Sequence, residues 1–175
     1  MEDRQLVTRF LQTRSESAFR QLYKSKTPHL YRMALRLTGD TDLSEELIQQ
    51  TWVTAIRKLA GFEWRSELRT WLTGILINLY RNLRREDEKE VELETVPEPS
   101  IPASGFTVID LEAAIRHLPP GYRQIIILHD VEGYTHKEVA GLLDISEGTS
   151  KSQLFHARKA IREFLNDLPS KSAKS

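Results

Sequence analysis

Residues 62–85 read FEWRSELRTWLTGILINLYRNLRR. Three rings, Phe62, Trp64 and Trp71, are interleaved with Arg65, Glu67 and Arg69, and the stretch closes on Arg81, Arg84 and Arg85. A buried helix has no use for the arginines, and a solvated loop has none for the tryptophans. Single-stranded nucleic acid uses both, because rings stack on unpaired bases while guanidinium groups follow the backbone. On a helix over 68–85, Asn78, Arg81, Asn82 and Arg85 fall at i, i+3, i+4 and i+7, one polar face. Trp71, Ile75, Leu79 and Leu83 fall on another, so Trp71 reads as core. Phe62, Trp64 and Arg65 precede that helix and read as strand-binding.

A second constellation lies near the C-terminus, in THKEVAGLLDISEGTSKSQLFHARKAIREFL. Thr135 with Glu138 three residues on is a capping box, and Ala140, Leu142 and Leu143 give the first helix its apolar face. Ile145 and Ser146 make a tight turn, and Ser146 caps the next helix. Leu154, Ala157, Ile161 and Leu165 share its apolar face. Two short helices so joined, with Ala140 where they approach, form a helix-turn-helix. Lys151, Ser152, Phe155, His156 and Lys159 are then turned outwards, a set able to meet phosphates and base edges in a major groove. The plainer alternative is an ordinary solvated face.

A third is acidic. Asp40, Asp42, Glu45 and Glu46 open a helix, and Asp42, Glu45, Glu46 and Gln49 share a face. The helix dipole alone would favour carboxylates there. In a segment otherwise net positive, such a face also repels DNA and suits a basic protein surface. Catalytic constellations are not found. The five histidines, His29, His117, His129, His136 and His156, lack metal-ligand spacing, there is no cysteine, and no glycine-rich phosphate loop occurs. The sequence therefore points away from an enzyme, a metal or a cofactor.

These groups need elements to hold them. Leu6, Phe10 and Leu11, then Phe19, Leu22 and Tyr23, then Leu30, Met33, Ala34 and Leu37 recur at helical spacing, which predicts three helices before Gly39. A fourth carries Leu47, Ile48, Trp52, Val53 and Ile56, and a fifth begins near Ser66. Residues 1–86 carry 15 Lys+Arg and 10 Asp+Glu, residues 87–107 carry 1 Lys and 6 acids, and residues 108–175 carry 9 of each sign. The acidic middle block holds three prolines and few large apolar side chains, and reads as a flexible linker. Beyond it come IDLEAAIRHL, a break at Pro119-Pro120-Gly121, and a helix over YRQIIILHDVEG stopped by Gly133. The fold class expected is all-α: two small helical domains, 1–86 and 108–175, joined by a linker over 87–107. The charged start MEDRQLVTRF and the lack of a long apolar run predict a cytoplasmic protein with no membrane insertion.

In this order the segments resemble an extracytoplasmic-function (ECF, group IV) sigma factor of bacterial RNA polymerase. LSEELIQQTWVTAIRKL is similar to that family's acidic core-binding helix, and residues 62–85 to its promoter-melting segment, down to TWL, Asn78 and the closing Arg-Arg. Residues 118–161 are similar to its second domain. The resemblance implies core RNA polymerase as a partner through Asp42, Glu45, Glu46 and Gln49. It implies capture of an unpaired minus-ten base by Phe62, Trp64, Arg65, Asn78, Arg81, Asn82 and Arg85. It implies minus-35 duplex reading by Lys151, Ser152, Gln153, Phe155, His156 and Lys159, and an anti-sigma factor as a further partner. Four positions depart from the family pattern. Ser150 and Gln153 stand where Val and Arg are usual, and Glu46 and Asn82 where Asp is frequent. A buried Ser150 is expected to loosen the recognition helix, and Gln153 to change the minus-35 preference. A stand-alone helix-turn-helix regulator is the rival reading, and it leaves the first half without a role.

Overall fold

Where each N-terminal helix starts and stops follows from a few side chains. A computed structural model describes residues 2–90 and 107–168. Helix α1, Asp3–Thr13, buries Leu6, Val7 and Phe10 and ends as Arg14 turns left-handed. The Ser15 hydroxyl accepts from the Ala18 N–H and starts α2, Glu16–Thr38, which Gly39 closes at φ 68°. Asp40 caps α3, Thr41–Lys58, by accepting from the Leu43 N–H at 2.8 Å. A 3₁₀ turn over Leu59–Gly61 and a loop lead to α4, Leu68–Glu90.

The apolar spacing predicted two helices where α2 is one, and Pro28 lies between the two apolar groups. Pro28 removes one intrahelical donor, a cost of about 3 kcal/mol in a helix interior. Leu22 before it and Leu30, Met33, Ala34 and Leu37 after it are all at most 1% exposed. Each large apolar side chain so buried contributes roughly 1.5–3 kcal/mol, and their shared core keeps the helix continuous through the proline. Trp52 adds a cross-link beside it, donating from Nε1 to the Thr27 Oγ1 at 3.0 Å. Phe10, Phe19, Tyr23 and Trp52 form a chain of ring contacts joining α1, α2 and α3. Helix α4 enters this core with Leu68, Leu72, Ile75, Leu76, Ile77 and Tyr80, and the Tyr80 hydroxyl donates to the Leu37 carbonyl at 3.1 Å.

The chain divides into two units, Met1–Asp87 and Glu88–Ser175. Of the stretch expected as linker over 87–107, residues 87–90 continue α4, in keeping with the high helix propensity of Glu and Lys, and residues 91–106 lie outside the described residues. In the second unit Thr107 and Asp110 form a capping box at the start of α5, Val108–His117. Helix α6, Pro120–Ile126, begins on its proline. It passes into a π-turn over Ile127–Val131 rather than running on as one α-helix to Gly133. Ile125, Ile126, Ile127 and Leu128 are all at most 3% exposed. Four successive apolar residues cannot lie on one face of a 3.6-residue helix, so the wider turn helps bury all of them. Helix α7 is His136–Leu143 and α8 is Glu147–Asp167. Among the described residues there is no strand.

Candidate nucleic-acid and partner interfaces

The loop between the 3₁₀ turn and α4 is a stack of rings. The Phe62 ring centroid lies 4.7 Å from those of both Trp64, tilted by 47°, and Trp71, stacked at 27°. Phe62 thus joins Trp64 to Trp71 of α4. Trp64 itself is half-buried and stands at φ 57°, a left-handed conformation that side chains other than glycine rarely adopt. The guanidinium of Arg4, from α1, lies 5.6 Å from its ring centroid. Arg65 is exposed and ion-paired to Glu63. On α4, Asn78, Asn82 and Arg85 are exposed and Arg81 half-buried. The polar face expected there is divided in use. Asn82 lines a groove with Glu46, Leu47, Gln50, Leu79 and Leu83, so it borders the acidic helix.

Asp42, Glu45, Glu46, Gln49 and Gln50 are all exposed on α3. Asp40, rather than any of these five, does the capping, and of the acids only Asp42 stands in the first turn. Local helix stabilisation therefore leaves Glu45, Glu46 and Gln49 without a structural task.

The C-terminal unit builds the helix-turn-helix from the cues read in the sequence. Thr135 and Glu138 close the capping box of α7, and Ser146 accepts from the Thr149 N–H at 3.0 Å to start α8. The chain reverses at Asp144, φ 54°, just ahead of the turn expected at Ile145 and Ser146. Leu154, Ala157 and Ile161 are buried. Lys151, Ser152, Phe155, His156 and Lys159 are exposed and Gln153 half-buried, with Phe155 61% exposed. Tyr122 of α6 faces His156 at 6.4 Å, and Phe155 meets His156 edge-on at 5.4 Å.

Ser150, expected to loosen the recognition helix, has a partner outside α8. Ser150 is fully buried, yet its hydroxyl meets His136 Nδ1 at 2.9 Å. A buried hydroxyl costs stability when unpaired, and this one is paired. Nor is His136 alone: its ring stacks on His129 at 4.4 Å. His129 Nδ1 meets Asp130 at 2.8 Å, and Arg158 donates to both oxygens of that carboxylate at 2.9 and 2.6 Å. Arg158's hydrogen bonds, opposed in part by desolvation, hold Asp130 below the usual carboxylate range. Burial first, then the charges of His129, Lys151 and Arg158, hold His136 below the ordinary histidine range. No periodicity signals this network, whose members are up to 29 positions apart. Arg4 over Trp64 was likewise invisible, 60 positions separating the two. Among the described residues no cluster of His, Asp or Glu is fit to hold a metal, and no helix is long and apolar enough to cross a membrane.

Two regions of one family match this chain in order: Sigma-70 region 2 over residues 22–90 and Sigma-70 region 4 over residues 109–161. The first therefore spans the acidic helix, the ring loop and α4, and the second spans the helix-turn-helix. The chain belongs to the sigma-70 family, in its extracytoplasmic-function group. The ECF RNA polymerase sigma factor SigE of Mycolicibacterium smegmatis is 28% identical over 167 residues, which are 89% of this chain and 64% of that protein. SigM of Bacillus subtilis is 27% identical over 154 residues, 83% of this chain and 94% of that one. The sigma factor RpoE of Bartonella quintana, solved in complex with the anti-sigma factor NepR, superimposes with a TM-score of 0.66 at 29% identity, covering 85% of this chain and 97% of that one.

Proposed function

We propose that this chain directs promoter-specific initiation by binding core RNA polymerase through its first unit, capturing the melted minus-ten element there, and reading the minus-35 element through its second. The observation that carries the reading is the separation of chemistries within residues 40–85. An exposed acidic patch on α3, suited to a protein, sits in the same unit as a ring loop and basic helix suited to unpaired DNA. Asp42, Glu45, Glu46 and Gln49 make the polymerase contact. Trp64, set on Phe62, is the stacking platform, with Arg65 and Arg85 along the backbone and Asn78 presenting a donor and an acceptor to a base edge. On α8, Lys151, Ser152, Gln153, Phe155, His156 and Lys159 form the groove-facing set. An anti-sigma factor is a further partner, by analogy with the Bartonella complex, and the site of action is the cytoplasm.

Run-off transcription with core polymerase and a promoter library tests this directly. The expected result is discrete transcripts, absent without the chain, from templates sharing two elements. Duplex binding without any gain in transcription would instead make the chain a stand-alone regulator, and capture of core polymerase by the tagged chain separates the two readings independently.

A further inference from the structure

The polar chain Ser150–His136–His129–Asp130–Arg158 begins and ends on α8. Between those ends it runs through the π-turn and the first residue of α7. The recognition helix is thereby fastened at positions 150 and 158, on either side of the exposed His156 and Phe155. Position 150 is the critical end. Its side chain is fully buried, so its hydroxyl has no water to fall back on, and His136 is the partner it has.

We propose that His136 is a positioning residue for the recognition helix, and that its pairing with His129 makes duplex binding weaken as the pH falls. The proposal rests on the minus-35 reading of α8. His136 faces His129 and Asp130 from the π-turn, and Glu147, Lys151 and Arg158 from α8. On its own helix Lys137 is exposed and Glu138 is turned back into the capping box. With His136 neutral the rings stack and its hydrogen bond to Ser150 closes. Charging His136 sets a cation 4.4 Å from the His129 ring and beside Lys151 and Arg158, and Asp130 is already engaged by Arg158. Glu147 is the one carboxylate that favours the charged His136. A histidine whose folded value is depressed supports its arrangement fully above the ordinary histidine range. That support is lost as pH falls from that range toward the depressed value. A recognition helix held less of the time in its binding geometry has a proportionally lower apparent affinity.

The test uses the full chain with two readouts: amide hydrogen exchange of residues 147–158, corrected for intrinsic rates, and affinity for a duplex enriched from a randomised pool by the parent chain. Binding is compared in a His156→Gln background, so that charging the groove-facing imidazole does not mask the effect. His136→Phe keeps a stacked ring and removes the partner of Ser150. At pH 8 it should lower both exchange protection and affinity by about fivefold or more. Adding Ser150→Ala removes the buried hydroxyl that needs a partner and should restore both to within about twofold. The parent should lose affinity severalfold between pH 8 and pH 5.5, and the double variant should not. Unchanged protection in His136→Phe at pH 8, or a double variant that weakens in acid as the parent does, overturns the proposal. Should His136→Phe fail to fold, the pH profile of the double variant decides alone. A parent that enriches no duplex, while exchange in α8 follows the expected pattern, sinks the minus-35 reading and leaves the positioning role standing.

Discussion

Removing the ring of Trp64 should weaken binding of the polymerase complex to a promoter whose minus-ten bubble is already open by about tenfold. Stacking a base on one ring is worth about 1–3 kcal/mol. Not all of that is available, because the Arg4 guanidinium occupies one side of the ring at 5.6 Å. Displacing an exposed cation from a ring costs about 0.5–1 kcal/mol. The difference centres near 1.3 kcal/mol, which is close to tenfold at 1.4 kcal/mol per decade. The backbone offers an internal control. Trp64 stands at φ 57°, a conformation costing a side-chain-bearing residue roughly 1–2 kcal/mol and glycine almost nothing. Trp64→Gly should therefore be more stable than Trp64→Ala by about 1 kcal/mol, yet bind equally poorly. Fluorescence anisotropy with core polymerase present, on one fully duplex and one pre-opened template, gives all the comparisons. A defect on the duplex alone assigns the ring to melting; a defect persisting on the open bubble assigns it to capture. If Trp64→Gly binds better than Trp64→Ala, the loop backbone rather than the ring is responsible. If neither variant is impaired on either template, Trp64 is packing and the single-strand reading of this loop is wrong.

Glu45→Lys or Glu46→Lys should weaken binding to core polymerase while leaving the melting temperature within a degree or two, since both side chains are exposed on α3; a sharp fall in melting temperature would make the face structural. Lys151→Ala and His156→Ala should each cost about 1–3 kcal/mol of minus-35 duplex binding if they read bases, or flatten the salt dependence if they meet phosphates; titration against a duplex at several salt concentrations separates the cases, and unaltered affinity in both would displace α8 from the groove. Because Arg158 holds Asp130 below the usual carboxylate range, the pair's contribution is present above the ordinary aspartate value and lost as pH falls through the folded one. Arg158→Ala should thus destabilise the second unit at pH 7 and narrow the gap to the parent as pH falls below the ordinary aspartate range, and urea titrations along that pH series measure it; a gap that does not change with pH would mean the pair is not coupled to folding.

What the sequence discloses and what it hides divide by distance along the chain. The capping box of Thr135 and Glu138, the Ser146 cap, the stop at Gly39 and the outward set on α8 were all legible, because each depends on neighbours within one or two helical turns. The continuity of α2 was not. Pro28 is a local signal against a helix, and what overrules it is burial of Leu22, Leu30 and Met33 against other helices, which no spacing within α2 records. Trp64 was rightly set apart from the apolar stripe of α4, but its left-handed backbone and its Arg4 neighbour depend on where α1 lies.

Ser150 is the most instructive case. A hydroxyl at a position expected to be apolar looks like a defect, and by local logic it loosens the helix that carries it. Its partner stands 14 positions earlier, and that partner's partner is held in turn by a carboxylate tied to Arg158. A buried hydroxyl without a partner would cost stability, and Ser150 has one in His136. The departure at 150 therefore has to be judged together with His136. Ser150→Ala alone should strand an imidazole that retains access to water, whereas His136→Phe alone strands a hydroxyl that has none. The two single substitutions are consequently unequal, with the histidine change the costlier, even though both break the same hydrogen bond.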